Sequence, residues 1–133
     1  MQATVSAGAS WQTAKLNQLQ NGLVLPFNTV GETLTAGAET KVTDKLNLSY
    51  KANYSQTASK STAVAGSSKF QRLIQTAAVE YNPLTTLQFN LSADHYYTHQ
   101  QQANDLKYFF ADATLRYKFS KPKIDVQLTA QNL

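Results

Sequence analysis

The chain has 133 residues, no cysteine and a formal net charge of +4. That length bounds it to one domain or part of one, and the missing cysteines exclude disulfides, thiolate metal sites and cysteine nucleophiles. Charged residues make up 15% of the chain against about 25% in an average soluble domain, and its Lys and Arg are scattered rather than clustered as in a nucleic-acid binder.

The first strand is predicted over Ala3–Trp11, where Ala3, Val5, Ala7, Ala9 and Trp11 alternate with Thr4, Ser6, Gly8 and Ser10. A period of two gives a strand with one dry and one wet face, and this one can run on toward Leu16. Asn17–Gly31 reads as a long loop, with Asn21-Gly22 as a turn signal and Pro26 as a strand breaker. A second strand follows over Thr33–Val42, with Leu34, Ala36 and Ala38 on its drier face, and Thr43-Asp44 turns the chain.

The third strand, Lys45–Ser55, has the cleanest alternation: Leu46, Leu48, Tyr50, Ala52 and Tyr54 share one face, Asn47, Ser49, Lys51 and Asn53 the other. Gln56–Ser68 is rich in Ser, Thr, Ala and Gly, carries no period, and reads as a second long loop. Phe70–Tyr81 is the fourth strand, its pattern interrupted by Ile74 and Ala78, and Asn82–Thr85 is a short turn. In the fifth strand, Thr86–Tyr97, Leu87, Phe89, Leu91 and Ala93 oppose Gln88, Asn90, Ser92 and Asp94. Thr98–Asp105 is a third polar loop. The sixth strand, Leu106–Phe119, sets Phe109, Ala111, Ala113, Leu115, Tyr117 and Phe119 against Asp112, Thr114, Arg116 and Lys118. Ser120–Lys123 turns the chain, and Ile124, Val126, Leu128 and Ala130 begin a seventh strand.

The expected fold is therefore all-β, an antiparallel up-and-down meander of about seven strands. Long connections follow strands one, three and five, and short ones follow two, four and six. Outer-membrane β-barrels sort their loops in this way. Tyr81, Tyr117 and Phe119 fall beside short turns; Trp11, Tyr54, Phe70, Tyr96, Tyr97, Tyr108, Phe109 and Phe110 fall beside long ones, as two aromatic girdles would. In a bacterial outer-membrane barrel the polar faces would line a lumen, with Asn47, Lys51, Asn53, Gln88, Asn90, Ser92, Asp94, Asp112, Thr114 and Arg116 as candidate lining residues. No stretch approaches the roughly 20 apolar residues of a spanning helix, but barrel strands need only about 9–11 alternating ones. Met1–Gly8 lacks the basic start and apolar centre of a signal peptide. Residues 1–133 are thus expected to be a single barrel segment, truncated at both ends and without a plug domain. Unpaired edge strands invite pairing, so the isolated segment is expected to self-associate through its first and last strands or to fold inside-out as a small soluble barrel.

With that register in place, the run LQFNLSADHYY (Leu87–Tyr97), then YFFADATLRYKF (Tyr108–Phe119), a Lys-Pro-Lys turn and IDVQLTAQNL (Ile124–Leu133) resembles the C-terminal barrel of Bacteroidetes TonB-dependent receptors, a SusC-like outer-membrane family. The most specific part is FADATLRYK followed by DVQLTAQNL, within about the last fifty residues. The resemblance implies an importer of a bulky nutrient, a glycan or peptide. Its partners would be outer-membrane lipid, a TonB-type energising complex and a surface lipoprotein. The family's plug, the motif that contacts the energising complex and its terminal strand have no counterpart in these residues.

Motifs that could carry chemistry have simpler readings. His95 and His99 have the spacing of helical zinc ligands, yet Tyr96 stands where a metalloprotease places its Glu and the context is strand. Asp94 and Asp112 share a wet wall with Arg116 and Lys118, which favours an electrostatic network over acid–base work. Ser120-Lys121-Pro122-Lys123 is a turn rather than the helical Ser-x-x-Lys of an acyl-transfer enzyme. Asn47-Leu48-Ser49, Asn53-Tyr54-Ser55 and Asn90-Leu91-Ser92 arise from alternation itself. No catalytic residue, metal or cofactor is expected, and the chain is read as a non-enzyme. The alternative is a soluble β-barrel or sandwich binding module with an apolar interior, because alternation says which residues share a face and not which face is inside.

Overall fold

The computed structural model describes residues 2–20, 22–61, 67–101 and 103–132. They form seven strands: β1 (Gln2–Gln20), β2 (Leu23–Thr43), β3 (Leu46–Ser61), β4 (Ser67–Leu84), β5 (Leu87–Gln100), β6 (Leu106–Phe119) and β7 (Ile124–Ala130). All belong to one antiparallel sheet in the order β1-β2-β3-β4-β5-β6-β7. The meander is all-β and not closed: β1 and β7 are its two edges.

The β6 limits, the Ser120–Lys123 turn and the start of β7 fall where alternation put them. The long loops do not. Asn17–Gly31 is a hairpin rather than a loop: β1 and β2 stay paired from Gln2↔Lys41 to Gln20↔Leu23. Gly22, at φ 80, makes the reversal, a backbone conformation that glycine adopts without steric cost. Pro26 lies inside β2, before the first β2–β3 pair at Phe27↔Ser61, at the margin of the sheet where proline is tolerated. Gln56–Ser61 continues β3 and Ser67–Ser68 opens β4, paired from Lys60↔Ser67 onward; the rest of that expected loop, residues 62–66, lies outside the described residues. Thr98–Gln100 belongs to β5.

Asn82–Thr85 is also displaced. The reversal falls at Thr85-Thr86, and the register shifts between Tyr81 and Leu84. Such a bulge admits Pro83, which has no N–H to give a ladder, while Asn82 N still donates to Lys45 O at 2.7 Å.

The described residues form no second layer. Among the described residues no hydrophobic side chain is buried. In the central strands the usual order is reversed. Leu48, Tyr50, Phe89 and Leu91 are exposed, whereas Asn47, Ser49, Asn53, Asn90, Ser92 and Asp94 are half-buried. Side chains on the inside of a curled sheet crowd one another, so the polar face is the concave one. Crowding also explains two small residues there. A Cβ on Gly8 would meet Thr35 Oγ1 at 2.7 Å, and one on Gly37 would meet Ser6 Oγ at 2.8 Å.

Gly22→Val should lower stability by about 1–2 kcal/mol, the cost of a left-handed backbone for a residue with a Cβ, and loosen the ends of β1 and β2. Chemical denaturation with amide exchange along the hairpin checks this; an unchanged midpoint would mean the turn relaxes to another form.

Candidate functional site

Cross-strand partners stand on the same face of a sheet, so the register assigns every side chain. All ten polar residues singled out from the sequence lie on one face and in adjacent rows. Asn47 pairs with Glu80, Glu80 with Asn90 and Asn90 with Thr114. Ser92 pairs with Asp112 and Gln88 with Arg116, while Lys51 pairs with Thr76 and Thr76 with Asp94. Asn53 stands beside Ile74.

Polar partners hold this face in place. Thr76 Oγ1 donates to Asp94 Oδ1 at 2.6 Å. Glu80 Oε1 accepts from Asn82 at 2.8 Å and from Gln88 at 3.4 Å. Arg116 Nε lies 2.9 Å from both carboxylate oxygens of Asp125, and its Nη2 makes a further ion pair there, a fork geometry that suits guanidinium to carboxylate. The expected network therefore runs from Arg116 to Asp125 on β7. Asp112 Oδ1 instead accepts from Asn132 N at 3.0 Å. Asp94 faces Phe110 and Asp112 faces Ser92, so the two carboxylates are not direct cross-strand partners. Asp125, Thr76 and Glu80 were not singled out beforehand, although Ile124-Asp125-Val126 carries the alternation that marks Asp125 as polar-face.

The opposite face is apolar over part of its height only. From the short turns upward it presents Leu46–Tyr81–Phe89–Leu115, then Leu48–Val79–Leu91–Ala113, then Tyr50–Ala77–Ala93–Ala111. Tyr54 and Leu73 pair above these, followed by Leu73 and Tyr97. Beyond lies a polar row of Glu32, Gln56, Gln71 and His99, reached at Trp11. At this level the polarity of the sheet switches sides. Leu16, Phe27 and Phe70 stand higher on the concave face, while Ile74, Tyr96 and Tyr108 stand on it three residues below that level, in the row of Asn53. The eight aromatic residues beside the long connections are therefore divided: Trp11, Tyr54, Tyr97 and Phe109 stand on the apolar face, Phe70, Tyr96, Tyr108 and Phe110 on the concave one.

Polar groups within the apolar face bond to each other. Gln75 Nε2 donates to Tyr50 OH at 2.7 Å and Gln75 Oε1 lies 3.0 Å from His95 Nδ1. Gln71 Nε2 donates to Tyr54 OH and Gln56 Oε1 at 2.7 and 2.8 Å. His99 is engaged elsewhere, its Nδ1 2.5 Å from Asp105 Oδ1. Four strand residues separate the two histidines by about 13 Å, too far to share a metal, and no cluster of three potential metal ligands occurs among the described residues.

No family model, no curated protein and no solved structure matches this chain.

Asp105, in the connection after β5, accepts from His99 and from Tyr97 OH at 2.9 Å. The His99 hydrogen bond, then that of Tyr97, holds its carboxyl below the ordinary value of 3.8. A carboxylate with a depressed folded pKa stabilises fully above its unfolded pKa, and this is lost as pH falls through the lower folded value. The clamp on the β5–β6 connection should therefore persist at neutral pH and release only below about pH 4. Carboxyl NMR titration of Asp105 should give a midpoint below 3.8, and Asp105→Asn should loosen the connection without that step. An ordinary midpoint would show the clamp absent.

Proposed function

We propose that the chain is a wall segment of a bacterial outer-membrane β-barrel for nutrient uptake, its apolar face toward lipid and its polar face lining the lumen. The observation that carries this reading is a single-layer sheet with its leucines outermost: Leu34 is 54% exposed and Leu91 38%. Water is a poor neighbour for such a face, and lipid is a good one.

Dimensions support the same reading. From the Leu46–Tyr81 row to the Trp11–Gln56 level is ten steps along β3, about 33 Å at ~3.3 Å per residue. Tilted by about 40°, that distance spans about 25 Å, the height of the outward apolar band of a transmembrane barrel. Tyr81, Tyr117 and Phe119 would form the lower girdle and Trp11, Tyr54 and Tyr97 the upper one. Above the upper girdle the outer face carries Thr13, Lys15, Asn28, Lys60 and Lys69, with Leu19 paired to Val24 at the hairpin tip.

The uptake role rests on the resemblance of FADATLRYK and DVQLTAQNL to TonB-dependent receptors. On that reading the ligand is a glycan or peptide, the motive force comes from a TonB-type complex, and a surface lipoprotein delivers the nutrient. No catalysis is assigned. An open edge is not tolerated in lipid, so β1 and β7 must pair with further strands, of the same barrel or of a second copy. β1 and β7 run in the same direction, and their direct closure would be parallel.

Trp11 is the one tryptophan and reports the outcome directly. When the 133-residue chain folds into vesicles, its emission should shift to the blue and be quenched by lipids brominated near the headgroup. Leu48→Arg and Leu91→Arg, one row above the lower girdle, should each weaken insertion by about 1–2 kcal/mol, between the cost of an arginine at the interface and at the bilayer midplane. Asn53→Arg and Asn90→Arg should be tolerated. The reverse sensitivity, in a chain soluble without detergent, would establish the inside-out binding module instead.

A further inference from the structure

The rings on the concave face are left over by the barrel reading, since a girdle needs aromatics on the outer face and a lumen needs none. Tyr108 and Phe110 are 51% and 40% exposed. Their planes lie within 11° of each other with centroids 6.4 Å apart, and Tyr96 meets Phe110 edge-on at 5.9 Å and 70°. Together the three rings make one aromatic cluster on this face, two of them near-parallel and the third set across them. The Arg72 guanidinium covers the Tyr96 ring at 5.9 Å. Asp94 is the direct cross-strand partner of Phe110, and Asp112 is the next residue along β6 on the same face.

We propose that Tyr96, Tyr108 and Phe110 form a stacking site for a neutral sugar ring, with Asp94, Asp112 and Arg72 at its rim. The site rests on the concave face being the lumen wall. Its chemistry selects among ligands. A wholly apolar ligand would cover the two carboxylates and the guanidinium without returning their hydrogen bonds, which is costly. An anion would meet Asp94 and Asp112, and a cation would compete with Arg72 for the face of Tyr96. A pyranose has an apolar C–H face to lie on the rings and a rim of hydroxyls that both donate and accept. Aromatic side chains with a few placed polar groups beside them are the common lining of small-ligand sites. Phe109, the neighbour of Phe110 in sequence, points to the opposite face and supplies an internal control.

Binding to maltohexaose, cellohexaose and xylohexaose is measured by calorimetry and saturation-transfer NMR on the 133-residue chain folded in lipid vesicles. At least one should bind, with saturation transfer strongest at the ring protons. Tyr108→Ala and Phe110→Ala should each weaken binding about tenfold, as loss of a ring that anchors a ligand does. Phe110→Leu, which keeps apolar bulk and strand structure, should lose nearly as much, while Phe109→Ala should bind as the parent does. The inference is overturned if none of the three sugars binds, if a short peptide binds at these rings instead, or if Phe110→Leu binds like the parent. Failure of the barrel reading would appear separately, in the arginine substitutions at Leu48 and Leu91, whatever the sugars do.

Discussion

Everything in this molecule depends on a backbone ladder that carries seven strands with no second layer to pack on. Sheets are normally stable because one face buries apolar surface against something else. Here the ladder runs unbroken from β1 to β7 while Leu34, Leu48, Leu91 and Leu115 remain open to the surroundings. The hydrogen bonds set the register, but the free energy that favours the folded sheet must come from whatever covers those leucines. In the proposed barrel, what covers that apolar face is hydrocarbon.

How much of this could be read in the sequence follows from where the period of two keeps one phase. β6 and the turn after it are legible because Phe109 to Phe119 never changes face. The hairpin arms beyond Trp11 are not, because the apolar residues change parity there. Thr13, Lys15 and Asn17 occupy the positions that Ala3 to Trp11 held, and Leu16 and Phe27 take up the other face. A reader looking for one continuous phase finds noise and writes a loop. The same switch hides the end of β3, where Ser55 to Ser61 is polar on both sides. The turn at Gly22 is legible because its signal is local; Pro26 misleads, because whether a proline breaks a strand depends on which neighbours that strand has.

The ten polar residues fell together because a shared face needs only correct parity within each strand. Their partners needed the register between strands. Nothing local says that Arg116 reaches Asp125 and not Asp112, for both carboxylates lie on the right face. The ring assignment failed for a different reason. Parity, and not proximity to a connection, decides which rings reach a girdle: Phe109 and Phe110 are adjacent, so only one of them stands on the outer face.

The polar groups within the apolar face bear on whether that face suits a membrane. A lone Gln or His there would be costly in hydrocarbon. Gln75 is not alone: one end of its amide gives to Tyr50 and the other meets His95, while Gln71 gives to both Tyr54 and Gln56. Each chain of contacts joins neighbouring strands and ends on an aromatic hydroxyl or a ring nitrogen, groups at home near a headgroup layer. The Gln71 pair lies at the level where polarity switches sides, and the Gln75 pair four residues below it, in the row of Ala52 within the apolar band. At its upper limit the apolar band meets water through Gln56, Gln71 and Tyr54, which satisfy one another, so that limit is set by side-chain hydrogen bonding as much as by where the leucines stop.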